Sequence, residues 1–366
     1  MALTPQEISR YQRQLSLPEF GPQAQERLKA ASVLVIGAGG LGCPALLYLA
    51  AAGVGRIAIV DPDSVDASNL QRQVLYTSAD QGLNKAQTAA LRLRSLNPLL
   101  RIEALPVRFD RSNAVDLVRS CDLVLDGSDN FPTRYLVNDA CVLAGRPFVY
   151  GAIQGFEGHV SVFNLGDGPT YRCLFPEPPP PGTAPSCAEA GVLGAVTGLI
   201  GTAQACEAIK VLAGIGNSLS GRLLVWNTLE MTSCVVGLRR DPNGRKITEL
   251  PPEGYGEACE APQGRDEIGA EELRRRIGGG GPVQLLDVRE GWERSLGSIE
   301  PSVHVPLRFL ETSSASDLAP LDPAVATVVY CAHGIRSLRG IQILRNRHGF
   351  RDAVSLRGGL QGWHGR

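Results

Sequence analysis

Two stretches of this chain hold residues whose types and spacing suit chemistry. The first is Gly37-Ala38-Gly39-Gly40-Leu41-Gly42, directly after the apolar run Val33–Ile36. Glycines in G-x-G-x-x-G spacing let a backbone turn tightly against a phosphate, and the helix that follows offers free N–H groups and the positive end of its dipole. Asp61 closes the next apolar run, Arg56–Val60. It lies about 20 residues past the loop, where an acid commonly holds a ribose hydroxyl. Asn69-Leu70-Gln71-Arg72-Gln73, Lys85 and Asp126-Gly127-Ser128-Asp129-Asn130 follow. Two cations beside a phosphate cradle, with a carboxylate able to hold Mg²⁺, suit chemistry on a nucleoside triphosphate. For the glycine loop taken alone a nicotinamide-dependent oxidoreductase is the default reading, and the residues after it must decide against it.

The second stretch is Cys331-Ala332-His333-Gly334-Ile335-Arg336-Ser337, after the run Val328–Tyr330. A cysteine at a strand end, ringed by loop amides and closed by Arg336, forms an anion-stabilising nest that favours the nucleophilic thiolate. His333 reads as an ordinary loop side chain.

Such groups need rigid elements behind them. From Ser32 to about Ile153, strand-like runs (Val33–Ile36, Ile57–Val60, Ile102–Val107, Leu123–Leu125, Phe148–Ala152) alternate with helical patterns (Asn84–Leu96, Asn113–Ser120, Pro132–Ala144). This predicts a Rossmann-like, doubly wound, mainly parallel sheet whose strand ends converge on one crevice. Gly158–Asn164, Leu223–Trp226 and Cys234–Leu238 predict an antiparallel extension. Val192–Leu212 reads as a long helix rich in small residues. Phe175–Ser186 is too rich in proline for helix or sheet and reads as a loop or crossing strap. The domains expected are 1–240, a charged Pro/Gly-rich linker over 241–265, and a smaller α/β unit over 266–366. In that unit Glu271–Ile277 and Ser337–Arg347 read as helices, and Val283–Val288 and Val325–Tyr330 as strands.

The bulk numbers narrow the class. The chain has 366 residues, 43% of them hydrophobic, and a formal net charge of −1. The length favours two domains, and the charge points to neither nucleic acid nor an anionic membrane. Met1–Arg10 is polar, with no apolar leader pattern, and the run Cys43–Gly55 is too short to cross a bilayer. The 9 cysteines are odd in number and form no C-x-x-C pair. That disfavours a disulfide framework and points to the cytoplasm.

As an ordered set, Arg10-Tyr11-Gln12-Arg13-Gln14, GAGGLGCP, SNLQRQ, the NKAQ lysine, DGSDN and SCAEAGV resemble the ubiquitin-activating-enzyme family. The likeness is to the bacterial adenylyltransferases that activate small ubiquitin-like sulfur carriers, of the molybdopterin-synthase and thiamine-biosynthesis types. Residues 266–366 resemble a rhodanese-type sulfurtransferase domain, through Leu286–Glu290, the Cys331 loop and Leu356–Trp363. The first resemblance implies ATP held by Gly37, Gly39, Gly40, Gly42 and Asp61, with Gln73 in the same site. Asn69, Arg72 and Lys85 would neutralise the phosphates, Asp129 would bind Mg²⁺, and Arg13 would reach the ATP of the other subunit of a homodimer. The implied reaction is attack by a carrier's C-terminal glycine carboxylate, at the end of a Gly-Gly tail, on the α-phosphate. Cys187, past the strap, stands where relatives use a covalent link to the carrier; a small residue near a loop is the alternative. Family members often bind zinc through two C-x-x-C pairs. Here Thr170-Tyr171-Arg172-Cys173 and the cysteine-free Arg239–Leu250 stand instead, so no zinc is expected. The second resemblance implies a Cys331 persulfide, loaded by a cysteine desulfurase or by thiosulfate. A non-catalytic nucleotide- or carrier-binding scaffold is the remaining alternative. The residues leave open where the sulfur goes: molybdopterin, thiamine, a thiolated tRNA, cysteine or a secondary metabolite.

Overall fold

The computed structural model describes residues 2–179, 191–255 and 266–365, with residues 243, 245, 253, 280, 281, 311, 313, 315–317 and 319 excepted. Cys187, most of the proline-rich strap and residues 256–265 therefore lie outside the described residues. The chain forms two units, Met1–Ala258 and Cys259–Arg366.

The first unit opens with two helices, α1 (Pro5–Leu15) and α2 (Gly21–Ala30). Thr4 and Glu7 cap α1 reciprocally, and Pro5 sits in its first turn, where a missing N–H costs nothing. Then follow β1 (Ser32–Ile36), α3 (Gly42–Ala52), β2 (Arg56–Val60), α4 (Lys85–Leu96), β3 (Arg101–Leu105), α5 (Ala114–Arg119), β4 (Leu123–Asp126), α6 (Phe131–Ala144) and β5 (Phe148–Gln154). Next come β6 (Glu157–Phe163), the short α7 (Tyr171–Leu174), α8 (Gly194–Ala213), β7 (Arg222–Asn227) and β8 (Thr232–Gly237). The sheet order is β3-β2-β1-β4-β5-β6-β7-β8. Strands β1 to β5 pair in parallel, with Val33 opposite both Ile57 and Leu123, and β5 to β8 pair antiparallel. Strand order reverses between β1 and β4, the switch point at which such sheets open a crevice.

β1 and β2 are buried on both faces, which explains their unbroken apolar runs. One face packs Leu46, Leu49, Ile57, Val149 and Ile200 into a core, and the other packs Leu34, Val60, Val124, Tyr150 and Phe163. α8 is long and apolar enough to cross a membrane by composition. Here it lies against α3, β5 and β6, with Val196, Ile200, Ala205 and Ala208 buried.

Leu250, Pro252 and Tyr255, in the segment read from composition as a linker, pack back on this unit. Leu250 is buried, and Arg111 donates to the carbonyls of Leu250 and Pro252. Tyr255 donates its hydroxyl to Asp139 at 2.8 Å. Asp139 is itself fully buried on α6 and takes a two-pronged ion pair from Arg172 of α7, at 2.8 and 2.9 Å.

The second unit contains β9 (Glu267–Ile268), α9 (Ala270–Gly278), β10 (Val283–Asp287), α10 (Gly291–Arg294), β11 (Val303–His304), α11 (Leu307–Leu310), β12 (Ala326–Tyr330), α12 (Ile335–His348), β13 (Ala353–Leu356) and α13 (Gly359–His364). Its five strands run parallel in the order β11-β10-β12-β13-β9.

Candidate active sites

In the first unit the site is built on the turn between β1 and α3. Gly37 adopts φ +88°, and a Cβ there would stand 2.9 Å from the Gly127 carbonyl oxygen. A Cβ on Gly42 would lie 2.0 Å from the Gly37 carbonyl oxygen. Only glycine fits either position. The loop after β1 is thus in backbone contact with the loop after β4, which carries Ser128 and Asp129. Asp126 anchors that second loop: its Oδ1 accepts from the Ser128 N–H at 3.0 Å and from the Ser128 hydroxyl at 2.6 Å. Asn130 caps α6 by accepting from the Thr133 N–H, which leaves Asp129 exposed at the crevice edge.

Asp61 braces the glycine loop from the other side. It accepts the Ala38 N–H at 2.8 Å and the Asp63 N–H at 2.9 Å, and burial raises its pKa. Tyr76 donates its hydroxyl towards the carbonyls of Ala38 and Lys85, at 2.8 and 3.2 Å, joining the loop to the start of α4. Gln73 is buried above Gly39, and its Oε1 has no partner among the described residues. A buried amide oxygen of this kind is costly to leave unpaired. The Asn69–Gln73 segment also touches α8, where a Cβ on Gly194 would meet the Gln71 carbonyl oxygen. Asn69 and Arg72 are partly exposed on this segment, and Lys85 is buried, its Nζ 3.1 Å from Asp63 Oδ2. Gly37, Gly39, Gly40, Gly42, Asp61, Gln73 and Lys85 are thereby brought to the switch point, together with the loops carrying Asn69, Arg72 and Asp129. Cys43 beneath them is a core sulfhydryl that donates to the Ala38 carbonyl, and burial pushes it up to about 12.

Arg13 is not brought there. Gln14 donates to the carbonyl of Ala52 and Tyr11 contacts Gly53, so α1 sits at the far end of α3 from the glycine loop. That separation is about 16 Å for a helix of this length.

Cys173, in the region where a zinc pair would begin, has its sulfur 3.4 Å from the Thr170 nitrogen, the Thr170 hydroxyl and the Asp241 nitrogen.

In the second unit, Cys331 is buried at the end of β12 and its Sγ accepts the Gly334 N–H at 3.1 Å. Gly334 takes φ +93° and caps α12. The Ser337 hydroxyl lies 3.6 Å from the sulfur and 2.8 Å from Ser355. The Leu356–Trp363 segment supports the loop from below: Leu360 and Gln361 donate to the carbonyls of Cys331 and Ala332. A Cβ on Gly359 would stand 2.3 Å from the Cys331 carbonyl oxygen, so only glycine fits there. His333 is exposed. Arg336 forms a two-pronged pair with Glu293, Nη1 to Oε2 at 2.7 Å and Nη2 to Oε1 at 2.6 Å. Sequence reasoning passed over Glu293, Tyr76 and Asp63, whose partners are set by tertiary structure.

A parallel nucleotide-type sheet extended by antiparallel strands, joined to a parallel five-stranded unit with a cysteine loop, defines a two-part α/β enzyme. Residues 11–246 match the ThiF family model, and residues 269–366 match the model of the rhodanese-like domain. The chain belongs to the ThiF family and carries a rhodanese-like domain; it is an enzyme of the adenylyltransferase and sulfurtransferase class. It is 48% identical over 374 residues to the probable adenylyltransferase/sulfurtransferase MoeZ of Mycobacterium tuberculosis, covering 99% of this chain and 94% of that one. It is 42% identical to the adenylyltransferase and sulfurtransferase MOCS3 of Mus musculus, covering 99% of this chain and 86% of that one. A sulfur carrier protein adenylyltransferase of Thermus thermophilus is 57% identical over 247 residues, 66% of this chain and 91% of its own. Among solved structures, E. coli MccB superposes with a TM-score of 0.58 at 21% identity, over 68% of this chain and 76% of that one; this likeness concerns the fold. These relatives give no support to an oxidoreductase or a non-catalytic scaffold.

Proposed function

We propose that the first unit adenylates the C-terminal glycine of a small ubiquitin-like sulfur carrier, and that the second delivers sulfur to it from a Cys331 persulfide. The contact between Gly37 and Gly127 carries this reading. It joins the phosphate-type loop to the loop carrying Asp129, and Gln73 against Gly39 brings up the segment that carries Asn69 and Arg72. In this reading Gly37–Gly42 and Asp61 hold ATP, with the Gln73 amide beside them. Asn69, Arg72 and Lys85 neutralise the triphosphate, so that the carrier carboxylate approaches the α-phosphorus without repulsion. Its oxygen forms the new P–O bond as the α–β anhydride breaks and pyrophosphate leaves. Asp129, exposed beside Asn130, presents the hard oxygen that Mg²⁺ prefers. Such an ion, when bound, supplies charge neutralisation on the phosphates. Arg13, far from its own glycine loop, is assigned to the site of a second copy in a homodimer.

The Cys331 thiolate takes a sulfur atom from a donor, a cysteine desulfurase or thiosulfate. The terminal persulfide sulfur then attacks the acyl carbon of the carrier adenylate and AMP leaves. A thiol reduces the resulting acyl disulfide and frees the carrier thiocarboxylate. Cys187 is the candidate for a covalent link to the carrier. We further assign the protein to the cytoplasm and expect no structural zinc. The deciding experiment is ATP–pyrophosphate exchange with a carrier ending in Gly-Gly. Exchange that proceeds as fast once the terminal glycine is removed would overturn the assignment.

A further inference from the structure

One face of α8 touches each loop of the first unit's crevice. Gly194, Thr197, Gly201 and Gln204 share that face, at the spacing of the helical repeat. A Cβ on Gly194 would stand 2.1 Å from the Gln71 carbonyl oxygen, and one on Gly201 would stand 2.3 Å from that of Leu41. Thr197 packs against Gly40, where a Cβ would lie 3.1 Å from the Thr197 methyl group. Gln204 acts differently, by a hydrogen bond. Its Nε2 donates to the Asp126 carbonyl at 2.7 Å and lies 3.4 Å from that of Val149. Gly151 of β5 makes room for it, since a Cβ there would stand 2.3 Å from Gln204 Cδ.

Packing does not ask for an amide at this place. Gln204 is fully buried, and its Oε1 has no partner among the described residues. Both carbonyls it faces are acceptors, so the nitrogen must point at them and the oxygen is left without a donor. An apolar side chain of that length would fill the space without this cost. What the amide gains is a grip on Asp126, the last residue of β4. Asp126 is the pivot of the loop: its carboxylate holds Ser128, and the Gly127 N–H next to it donates to the Ile36 carbonyl at 2.8 Å. Asp129 follows on the exposed side, its Oδ1 3.5 Å from the Asn130 amide.

Resting on the reading of Asp129 as the carboxylate that holds Mg²⁺, we propose that Gln204 is a positioning residue for that carboxylate. It fixes the Asp126 carbonyl to α8, the same helix that seats Gly40 and Gln71. The amide thereby sets how far Asp129 stands from the phosphate-type loop. The contribution of a metal ion to nucleotide binding depends on that distance, whereas the contact of the glycine loop with the phosphates does not.

The test is calorimetric binding of ATP to the full chain, without carrier, in the presence and absence of Mg²⁺. The quantity read is the ratio of the two affinities, which a general loss of folded protein leaves unchanged. Gln204→Met should shrink the gain in affinity that Mg²⁺ gives by about fivefold or more, and keep the metal-free affinity within about twofold of the parent. Gly151→Ala presses on the same amide from β5, against the movable end of a side chain, and decides the matter even where the first variant fails to fold. It should show the same selective loss, and the two substitutions together should cost no more than either alone, because they act through one group. A gain from Mg²⁺ that is kept in these variants, equal losses with and without the metal, or losses that add in the double variant would overturn the proposal. Asp129→Ala tests the reading beneath it. A gain that survives in Asp129→Ala overturns that reading and the proposal with it, whereas a gain lost there but kept in Gln204→Met overturns the proposal alone.

Discussion

Lys85 and Asp63 form an ion pair whose two ends differ in exposure: 8% of the lysine side chain is accessible but 66% of the aspartate. The aspartate can leave for water at little cost, while the lysine is buried at the start of α4. On the function proposed above, such a pair would give Lys85 a resting partner that an arriving phosphate replaces.

The first prediction follows from that asymmetry. Lys85→Met and Asp129→Ala should each slow carrier-dependent ATP–pyrophosphate exchange by about a hundredfold or more, because an unneutralised triphosphate repels the attacking carboxylate. Asp63→Asn should cost less than about tenfold, since it removes only the resting partner. Near-equal losses at Lys85 and Asp63 would show that the pair serves structure rather than phosphate.

The second prediction concerns metal. Thr170 stands where a first zinc cysteine would, and Cys173 instead has Thr170 and Asp241 as its neighbours. Elemental analysis of purified protein should find zinc well below one ion per chain, and chelators should leave its melting temperature unchanged. One tightly held zinc per chain would contradict this.

Third, the half-reactions should separate. Adenylation needs phosphate neutralisation and no thiol, whereas sulfur donation needs the Cys331 thiolate. Cys331→Ala should abolish thiocarboxylate formation from thiosulfate yet leave pyrophosphate exchange nearly intact. Arg336→Ala should weaken sulfur transfer and move its pH profile upward, because Glu293 is left unneutralised beside the loop. Thiocarboxylate formation undiminished in Cys331→Ala, with no added sulfide, would place the sulfur donor elsewhere.

Fourth, stability should carry a pH signature from Asp80. Its carboxylate accepts the Thr77 N–H at 2.7 Å and pairs with Arg92 at 2.9 Å, fixing the turn between Arg72 and Lys85. The Thr77 backbone hydrogen bond holds its pKa below the ordinary value, helped by the Thr77 hydroxyl and Arg92. A depressed carboxyl stabilises the fold above its unfolded-state pKa, and the contribution is lost as pH falls through the folded value. Asp80→Asn should therefore lose about 1 kcal/mol at neutral pH, the scale of a lost cap. The gap from the parent should narrow as denaturation is repeated at progressively lower pH. A gap constant with pH would assign the loss to packing.

The sheet of the first unit could be read from the chain because β1, β2 and β4 are buried on both faces and appear as unbroken apolar runs. The glycine loop was legible because Gly37 and Gly42 meet backbone where no side chain fits. What escaped was local in one case and distant in others. Thr4-Pro5-Gln6-Glu7 carries the start signal of α1, but a search of that segment for an apolar leader passes over a capping box. The two-residue β9 exists only because Ser355 and Leu356 pair with Glu267 and Ile268, which no local pattern announces. Glu293 and Arg336 are 43 residues apart, a separation that periodicity cannot connect. The charged segment after Arg239 looked like a tether because Leu250 and Tyr255 are lone apolar residues in a polar run; each fills a place on the first unit.

The hydrogen bond from Tyr255 to Asp139 bears on how the two units can be separated. The Thermus thermophilus relative aligns over 91% of its own length with 66% of this chain, which leaves that relative too little length for a second domain of this kind. Cutting at the composition shift near residue 240 would remove Tyr255 and leave the buried Asp139 carboxylate with Arg172 and the Asn138 amide. Regular secondary structure of the first unit ends at Gly237, but its packing continues to Tyr255, so a fragment meant to fold alone should run through Tyr255.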